Sequence, residues 1–138
     1  MCHHFTLLAH QSDQRFIARC EHGMIHLNWD QITMRLAPID LLRIGNVLDQ
    51  LDADMDRHLF RAGPVCLVRD ERGYVQVWIG SSCLYLTPVD FMQVADMVRI
   101  VIAHYSRIPP ENRREDSQPF DVYRTYQVAP ARATFLLN

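Results

Sequence analysis

The chain has 138 residues, a mass of 16.1 kDa and a formal net charge of −2. This length suits one domain with a single hydrophobic core and is too short for two ordinary domains. Apolar residues make up 49% and charged residues 22% of the chain, which excludes disordered, collagen-like, coiled-coil and disulfide-scaffold proteins. Because the chain carries no large positive charge, we expect no nucleic-acid partner.

All fourteen basic residues are arginine. The absence of lysine excludes Schiff-base catalysis and P-loop phosphate binding, since both chemistries need a lysine amine. The five glycines are dispersed, so the chain also lacks a glycine-rich nucleotide-binding loop. We find no complete catalytic motif, and the sequence therefore favours a non-enzymatic role without deciding the question.

An internal repeat organises the chain. Residues 16–52 align without a gap on residues 66–102, at an offset of fifty positions. The six identical pairs are Arg19/Arg69, Glu21/Glu71, Gly23/Gly73, Leu36/Leu86, Pro38/Pro88 and Asp40/Asp90. Apolar runs and turn signals coincide in the two copies as well. The alignment therefore predicts two tandem units of the same local fold.

Each unit is predicted to contain three β-strands and a helix. The elements of unit one (15–57) are Arg15–Cys20, Met24–Asp30, Ile32–Leu36 and a helix over Pro38–Arg57. Those of unit two (65–106) are Val65–Arg69, Tyr74–Ile79, Cys83–Leu86 and a helix that includes Val89–Ala103. This pattern predicts an α+β fold of two β-β-β-α units with a pseudo-two-fold internal repeat, antiparallel sheet and two main helices. We expect both units to form one domain spanning residues 1–138.

The two predicted helices differ in how much apolar surface they carry. Helix one has a single apolar stripe from Leu41 to Met55, as expected for a helix that packs on a sheet. Helix two is apolar on most sides, and its polar residues between Val89 and Ala103 are Asp90, Gln93, Asp96 and Arg99. Because one sheet covers only one side of a helix, we expect helix two to pair with its copy in a homodimer. The alternative is a central core helix in a monomer.

The segment after the second helix changes in character. Residues 107–116 are charged and contain Pro109 and Pro110, which predicts a surface loop. Strand-forming residues return over 120–128, and residues 134–137 are mostly apolar. We therefore expect 107–138 to form a loop followed by a C-terminal strand or docked tail.

Cysteine and histidine residues cluster around the first predicted hairpin. The candidate metal ligands lie in its loop, on the following strand and in the N-terminal segment: Cys20, His22, His26, Cys2, His3 and His4. Thiolate and imidazole groups suit a transition metal, and haem iron uses the same ligands. The alternative is a buried Cys20 beside exposed loop histidines, because the chain lacks the two spaced ligand pairs of common zinc motifs.

The N-terminal sequence lacks the basic segment and long apolar run of a signal peptide. No apolar stretch in the sequence reaches the length needed to cross a bilayer. We therefore expect a cytoplasmic protein without a membrane partner. Its four cysteines are then expected to be reduced thiols.

Three functions remain open at this point. The first is a small, non-enzymatic, adaptor-like binding or regulatory protein that acts as a homodimer and recognises a protein partner. The second is a transition-metal or haem sensor or carrier that uses the Cys20, His22 and His26 region. The third is a small enzyme with a cleft between the repeats, which would need a perturbed carboxylate or an activated thiolate there.

Overall fold

The computed structural model describes residues 2–106, which form two four-stranded antiparallel sheets and two helices. Sheet one contains β1 (Phe5–Ser12), β2 (Arg15–Cys20), β3 (Ile25–Trp29) and β4 (Ile32–Leu36), and α1 (Pro38–Ala53) follows it. Sheet two contains β5 (Leu59–Ala62), β6 (Val65–Arg69), β7 (Val75–Ile79) and β8 (Ser82–Leu86), and α2 (Pro88–Ser106) follows it. The predicted α+β fold with tandem units is confirmed. The predicted loop and tail at 107–138 lie outside the described residues.

The second unit repeats the first at the offset seen in the sequence. Strands β3 and β4 and the start of α1 correspond, position for position, to β7, β8 and the start of α2. The hairpin loops are alike, since Gly23 has a φ of 82° and Gly73 a φ of 86°. The Gly23 amide donates to the Cys20 carbonyl, and the Gly73 amide donates to the Asp70 carbonyl. The same local backbone geometry is therefore built twice.

Each unit begins with a strand that the sequence analysis did not predict. The first of these strands, β1, pairs with β2, but its register shifts between Leu7 and Ala9 and again between His10 and Ser12. These irregularities break the alternation of apolar and polar residues that would reveal a strand. The corresponding strand β5 has only four residues. The units are therefore β-β-β-β-α.

Helix α1 ends earlier than predicted. It stops at Ala53 rather than Arg57, because Asp54 leaves the helical conformation with a φ of −143°. Met55, which the sequence placed on the apolar stripe, is 64% exposed. The buried stripe consists of Leu41, Ile44, Val47, Leu48 and Leu51. Residues 54–58 form an exposed connection to β5.

Each helix packs mainly on the sheet of the other unit. Helix α1 contacts β5 and β6 of sheet two, and α2 contacts β1 and β2 of sheet one. The helices also contact each other, and a Cβ atom at Gly45 of α1 would collide with the side chain of Ile102. The position equivalent to Gly45 in α2 is Ala95, which is also small and is buried. Neither helix combines the length and apolar composition needed to cross a bilayer.

One hydrophobic core draws on both units. Its buried members include Leu27 and Leu36 from sheet one, Leu48 from α1, Phe60 from sheet two and Val98 from α2. Fully burying a side chain of this size stabilises a fold by about 1.5–3 kcal/mol. Because the core is continuous, the two units depend on each other for this stabilisation.

A polar network fixes the start of α2 on sheet one. The Arg15 guanidinium donates to both carboxylate oxygens of Asp30, at 2.8 and 2.9 Å. It also donates to Asp90 at 3.1 Å and to Gln93 at 2.8 Å. The same guanidinium lies 4.2 Å from the ring centre of Trp29. The hydrogen bonds from Arg15 lower the pKa of Asp30 below its ordinary value.

Candidate metal centre

The β2–β3 hairpin and the N-terminal segment meet at one end of sheet one. Cys20 is the last residue of β2 and pairs in register with Phe5 of β1. The Glu21 carboxylate accepts hydrogen bonds from the backbone amides of His3 at 2.8 Å and His4 at 3.0 Å. These bonds lower the pKa of Glu21 to about 2, the His3 amide making the largest contribution. A carboxylate that is ionised at pH 7 thus holds the N-terminal segment, and Cys2 with it, against the loop.

Four potential ligand atoms converge at this point. The sulfurs of Cys2 and Cys20, a carboxylate oxygen of Glu21 and a ring nitrogen of His22 all lie within 4.8 Å of one another. Both cysteines are buried, whereas His22 and Glu21 are exposed. Among residues 2–106, this is the one group of three or more such side chains close enough to hold an ion together.

The separations around Cys2 match the edge of a zinc-sized tetrahedron. With Zn–S of about 2.3 Å and Zn–N of about 2.1 Å, a tetrahedral ion places sulfur and nitrogen about 3.6 Å apart. The Cys2 sulfur lies 3.6 Å from Nδ1 of His22 and 3.7 Å from Nε2 of His26. In the metal-free protein the Cys2 thiol can donate a hydrogen bond to one of these nitrogens. The same geometry would let the thiolate and an imidazole share one ion.

His26 occupies the buried side of the site. Its ring packs edge-on against Phe5, with ring centres 4.9 Å apart, and only 2% of the residue is exposed. Burial, with a smaller contribution from the positive charge of Arg35, lowers the pKa of His26 to about 4. The imidazole is therefore neutral at pH 7 and keeps a nitrogen lone pair, as metal ligation requires.

Burial also affects the Cys2 thiol. It raises the pKa of Cys2 above its ordinary value, and the neighbouring Cys20 thiol acts in the same direction. In the metal-free protein Cys2 is therefore a neutral thiol at pH 7. An incoming cation must displace that proton, so metal binding releases acid.

The structure divides the six ligands predicted from the sequence into two groups. It brings together Cys2, Cys20 and His22, with His26 touching Cys2 from the buried side. His3 and His4 have exposed side chains and contribute their backbone amides to Glu21. Sequence analysis did not name Glu21 as a ligand, although its position between a cysteine and a histidine is the signal that could have identified it.

The second hairpin lacks an equivalent group. Asp70 and Arg72 stand where unit one has Cys20 and His22. The Asp70 carboxylate accepts hydrogen bonds from the backbone amides of Arg72 at 2.9 Å and Tyr74 at 3.0 Å. This carboxylate is engaged in holding its own turn. The candidate site therefore belongs to unit one alone.

A cleft lies between the two units, but its residues give little support to the enzyme hypothesis. It has a volume of about 350 Å³ and lies between β4 and β8. No lining residue carries a carboxylate. The cleft is lined by Ile32, Thr33, Met34, Arg35, Leu36, Ile79, Ser82 and Cys83. Burial raises the pKa of the Cys83 thiol, whereas an activated nucleophile needs a lowered one.

The chain was compared with protein-family models, with curated proteins and with solved structures, and no match was found in any of the three.

Proposed function

We propose that this protein binds a transition-metal ion at the end of the β2–β3 hairpin, with Zn²⁺ as the expected occupant. Cys2, Cys20 and His22 supply three ligands, and Glu21 or His26 supplies the fourth. The observation that carries the proposal is the convergence of two sulfurs, an imidazole nitrogen and a carboxylate oxygen within 4.8 Å. The protein would act as a metal carrier or sensor.

The donor set favours zinc over the hard cations. Two thiolates with an imidazole form a soft to borderline set, whereas Mg²⁺ and Ca²⁺ prefer oxygen ligands. The two sulfurs are buried, while His22 approaches from the solvent side. Such a site holds an ion firmly on one side and leaves a path for exchange on the other. The thiolates require a reducing compartment, which supports a cytoplasmic location as part of this proposal.

Loss of a ligand is expected to weaken zinc binding strongly. Untagged protein, purified without a metal column, should bind one Zn²⁺ per chain in a competition titration with a chromophoric chelator. Cys2→Ser, Cys20→Ser and His22→Ala should each raise the Kd at least ~100-fold, because even groups that only support a ligand contribute about 10–100-fold. Free Zn²⁺ at a hundred times the Kd should stabilise the wild-type fold by about 2.7 kcal/mol in thermal unfolding.

Matched controls are available in the second unit. Cys66→Ser and Cys83→Ser remove thiols outside the group, and His58→Ala removes an exposed histidine. These variants should bind zinc as the wild type does. Cobalt should give a sulfur-to-metal absorption band that is weaker in the Cys2→Ser and Cys20→Ser variants, since each keeps one of the two sulfurs. Sub-stoichiometric zinc in the wild type, or equal losses in the controls, would contradict the proposal. A shifted haem absorption band after haem is added would indicate that the site binds haem iron and not zinc.

Exposed apolar residues on α2 support a second proposal, a homodimer that acts as a binding or regulatory protein. Val89 is 66% exposed, Met92 64% and Ile100 46%. These three apolar side chains lie outside the core, on a helix that also exposes Asp96 and Arg99, and a second copy would cover them.

Charge on this surface should separate the subunits. The mass from light scattering is expected to be twice 16.1 kDa for the wild type and 16.1 kDa for a Met92→Glu/Ile100→Glu variant. The variant is expected to be a monomer because burying two carboxylates in an apolar interface is unfavourable. Ile39→Glu on α1, where the side chain is also exposed, should leave the dimer intact. A wild-type monomer at micromolar concentration would refute this proposal.

A further inference from the structure

The two sulfurs of the proposed metal centre lie within reach of each other. They are no more than 4.8 Å apart, and a disulfide needs a separation of about 2.05 Å. Cys20 is held in the β-ladder by its pairing with Phe5, whereas Cys2 precedes β1 and is outside the ladder. A small shift of the N-terminal segment would therefore bring the Cys2 sulfur onto the Cys20 sulfur without breaking the sheet.

We propose that a hydroperoxide links Cys2 and Cys20 in a reversible disulfide and thereby expels the metal ion. The inference rests on the proposed function, since it concerns the regulation of the same site. Cysteine ligates zinc through its thiolate, and a disulfide sulfur is no longer a thiolate. Without the two sulfurs, the ion keeps only His22 and the fourth ligand, Glu21 or His26, and two ligands leave half of a tetrahedral shell to water.

The reaction balances in two steps. In the first, the Cys2 sulfur, which would be a thiolate in the zinc-loaded protein, attacks one peroxide oxygen. An S–O bond forms, the O–O bond breaks and the departing hydroxide takes a proton to become water. In the second, the Cys20 thiolate attacks the Cys2 sulfur, so that an S–S bond forms and the sulfenic oxygen leaves as a second water after protonation. Two thiolates, one hydrogen peroxide and two protons thus give one disulfide and two waters. The sulfurs lose two electrons, and the peroxide gains them.

The anchoring of the N-terminal segment favours this pairing over competing oxidation. The Glu21 carboxylate holds the His3 and His4 amides at 2.8 and 3.0 Å, and this contact does not depend on either sulfur. Cys2 therefore stays beside Cys20 after the first oxidation step. A nearby second thiol captures a sulfenic acid before further peroxide can oxidise it irreversibly.

The other two cysteines cannot make the same link within one chain. Cys66 on β6 and Cys83 on β8 are both opposite Trp78 of the intervening strand β7. Two strand spacings separate their backbones by about 9.5 Å, which is beyond disulfide reach. These residues therefore serve as controls, and replacing both by serine removes intermolecular crosslinks from the measurement.

The test uses zinc-loaded, full-length Cys66→Ser/Cys83→Ser protein treated with equimolar hydrogen peroxide. We expect release of one zinc per chain to a chromophoric chelator, loss of two thiols, and a Cys2–Cys20 crosslink in peptide mapping. Dithiothreitol should restore both thiols and zinc binding. The Cys20→Ser variant in the same Cys66→Ser/Cys83→Ser background, loaded at the higher zinc concentration that it requires and treated with at least two equivalents of peroxide, should instead accumulate Cys2 oxidised to the sulfinic acid, which dithiothreitol does not reverse.

The outcomes separate this inference from the metal proposal. If zinc does not bind before peroxide is added, the metal centre itself is wrong and the regulation falls with it. If zinc binds and peroxide yields no Cys2–Cys20 crosslink, or yields the crosslink while zinc stays bound, the redox inference alone is overturned.

Discussion

Phe60→Ala is expected to lower the free energy of unfolding by about 3–5 kcal/mol, among the largest effects of any single substitution in the chain. Phe60 lies on β5 with 0% exposure and belongs to the shared core. Helix α1, which comes from the other unit, packs on this strand, and the Arg57 guanidinium lies 4.9 Å from the Phe60 ring centre. Removing the ring leaves a cavity between the two units.

The neighbouring residue provides the control. Leu59 is on the opposite side of β5 and is 51% exposed, so Leu59→Ala should change stability by less than about 0.5 kcal/mol. Urea unfolding followed by tryptophan fluorescence measures both variants. Equal effects of the two substitutions would show that β5 does not have one buried and one exposed side, and would contradict the packing of α1 on sheet two.

Cutting the chain between its two units is expected to leave the pieces bound together and to abolish cooperative folding of either piece alone. A protease site inserted in the exposed loop 54–58 divides the chain after α1. The first piece then contains sheet one without α2, which covers it, and α1 without the strands β5 and β6 on which it packs. Each piece would expose most of its core face to water.

Size exclusion under native conditions should show the two pieces eluting as one particle. After separation in denaturant and refolding, each piece alone should lack a cooperative transition, and the equimolar mixture should regain it. The mixture is the essential comparison, because pieces of this length are marginal for size alone. Cooperative unfolding of the first piece as a monomer would show that α1 can pack on its own sheet.

Features set by neighbouring residues were predictable from the sequence. Gly23 and Gly73 have the positive φ that the hairpin loops require. Helix α1 begins at Pro38, as predicted, and α2 begins at the equivalent Pro88. The Thr87 hydroxyl accepts a hydrogen bond from the Asp90 amide at 3.2 Å, as is typical of a helix cap. These signals act within three or four residues, so a single sequence displays them fully.

Features set by distant residues were not predictable. The apolar stripe of α1 indicates that one side is buried, but it does not say which sheet buries it. The periodicity of apolar residues therefore does not reveal that each helix packs on the sheet of the other unit. The strand β1 was hidden by its shifts in register. The candidate ligands Cys2, Cys20, His22 and His26 could be named from the sequence, but the approach of Cys2 to Cys20 depends on strand pairing and on the Glu21 contacts. None of these follows from spacing along the chain.

The packing of each helix on the sheet of the other unit bears on why the candidate metal centre is built on the first hairpin and not on the second. In a single unit, the sheet would lack the helix of the other unit that packs on it. Identical units would therefore be stable only as symmetric pairs, and both hairpin loops would then have the same sequence. When both units are joined in one polypeptide, each helix still covers the sheet of the other unit. The two hairpin loops then need not have the same sequence. One loop can then present sulfur and imidazole while its counterpart, with Asp70 and Arg72, serves only as a tight turn.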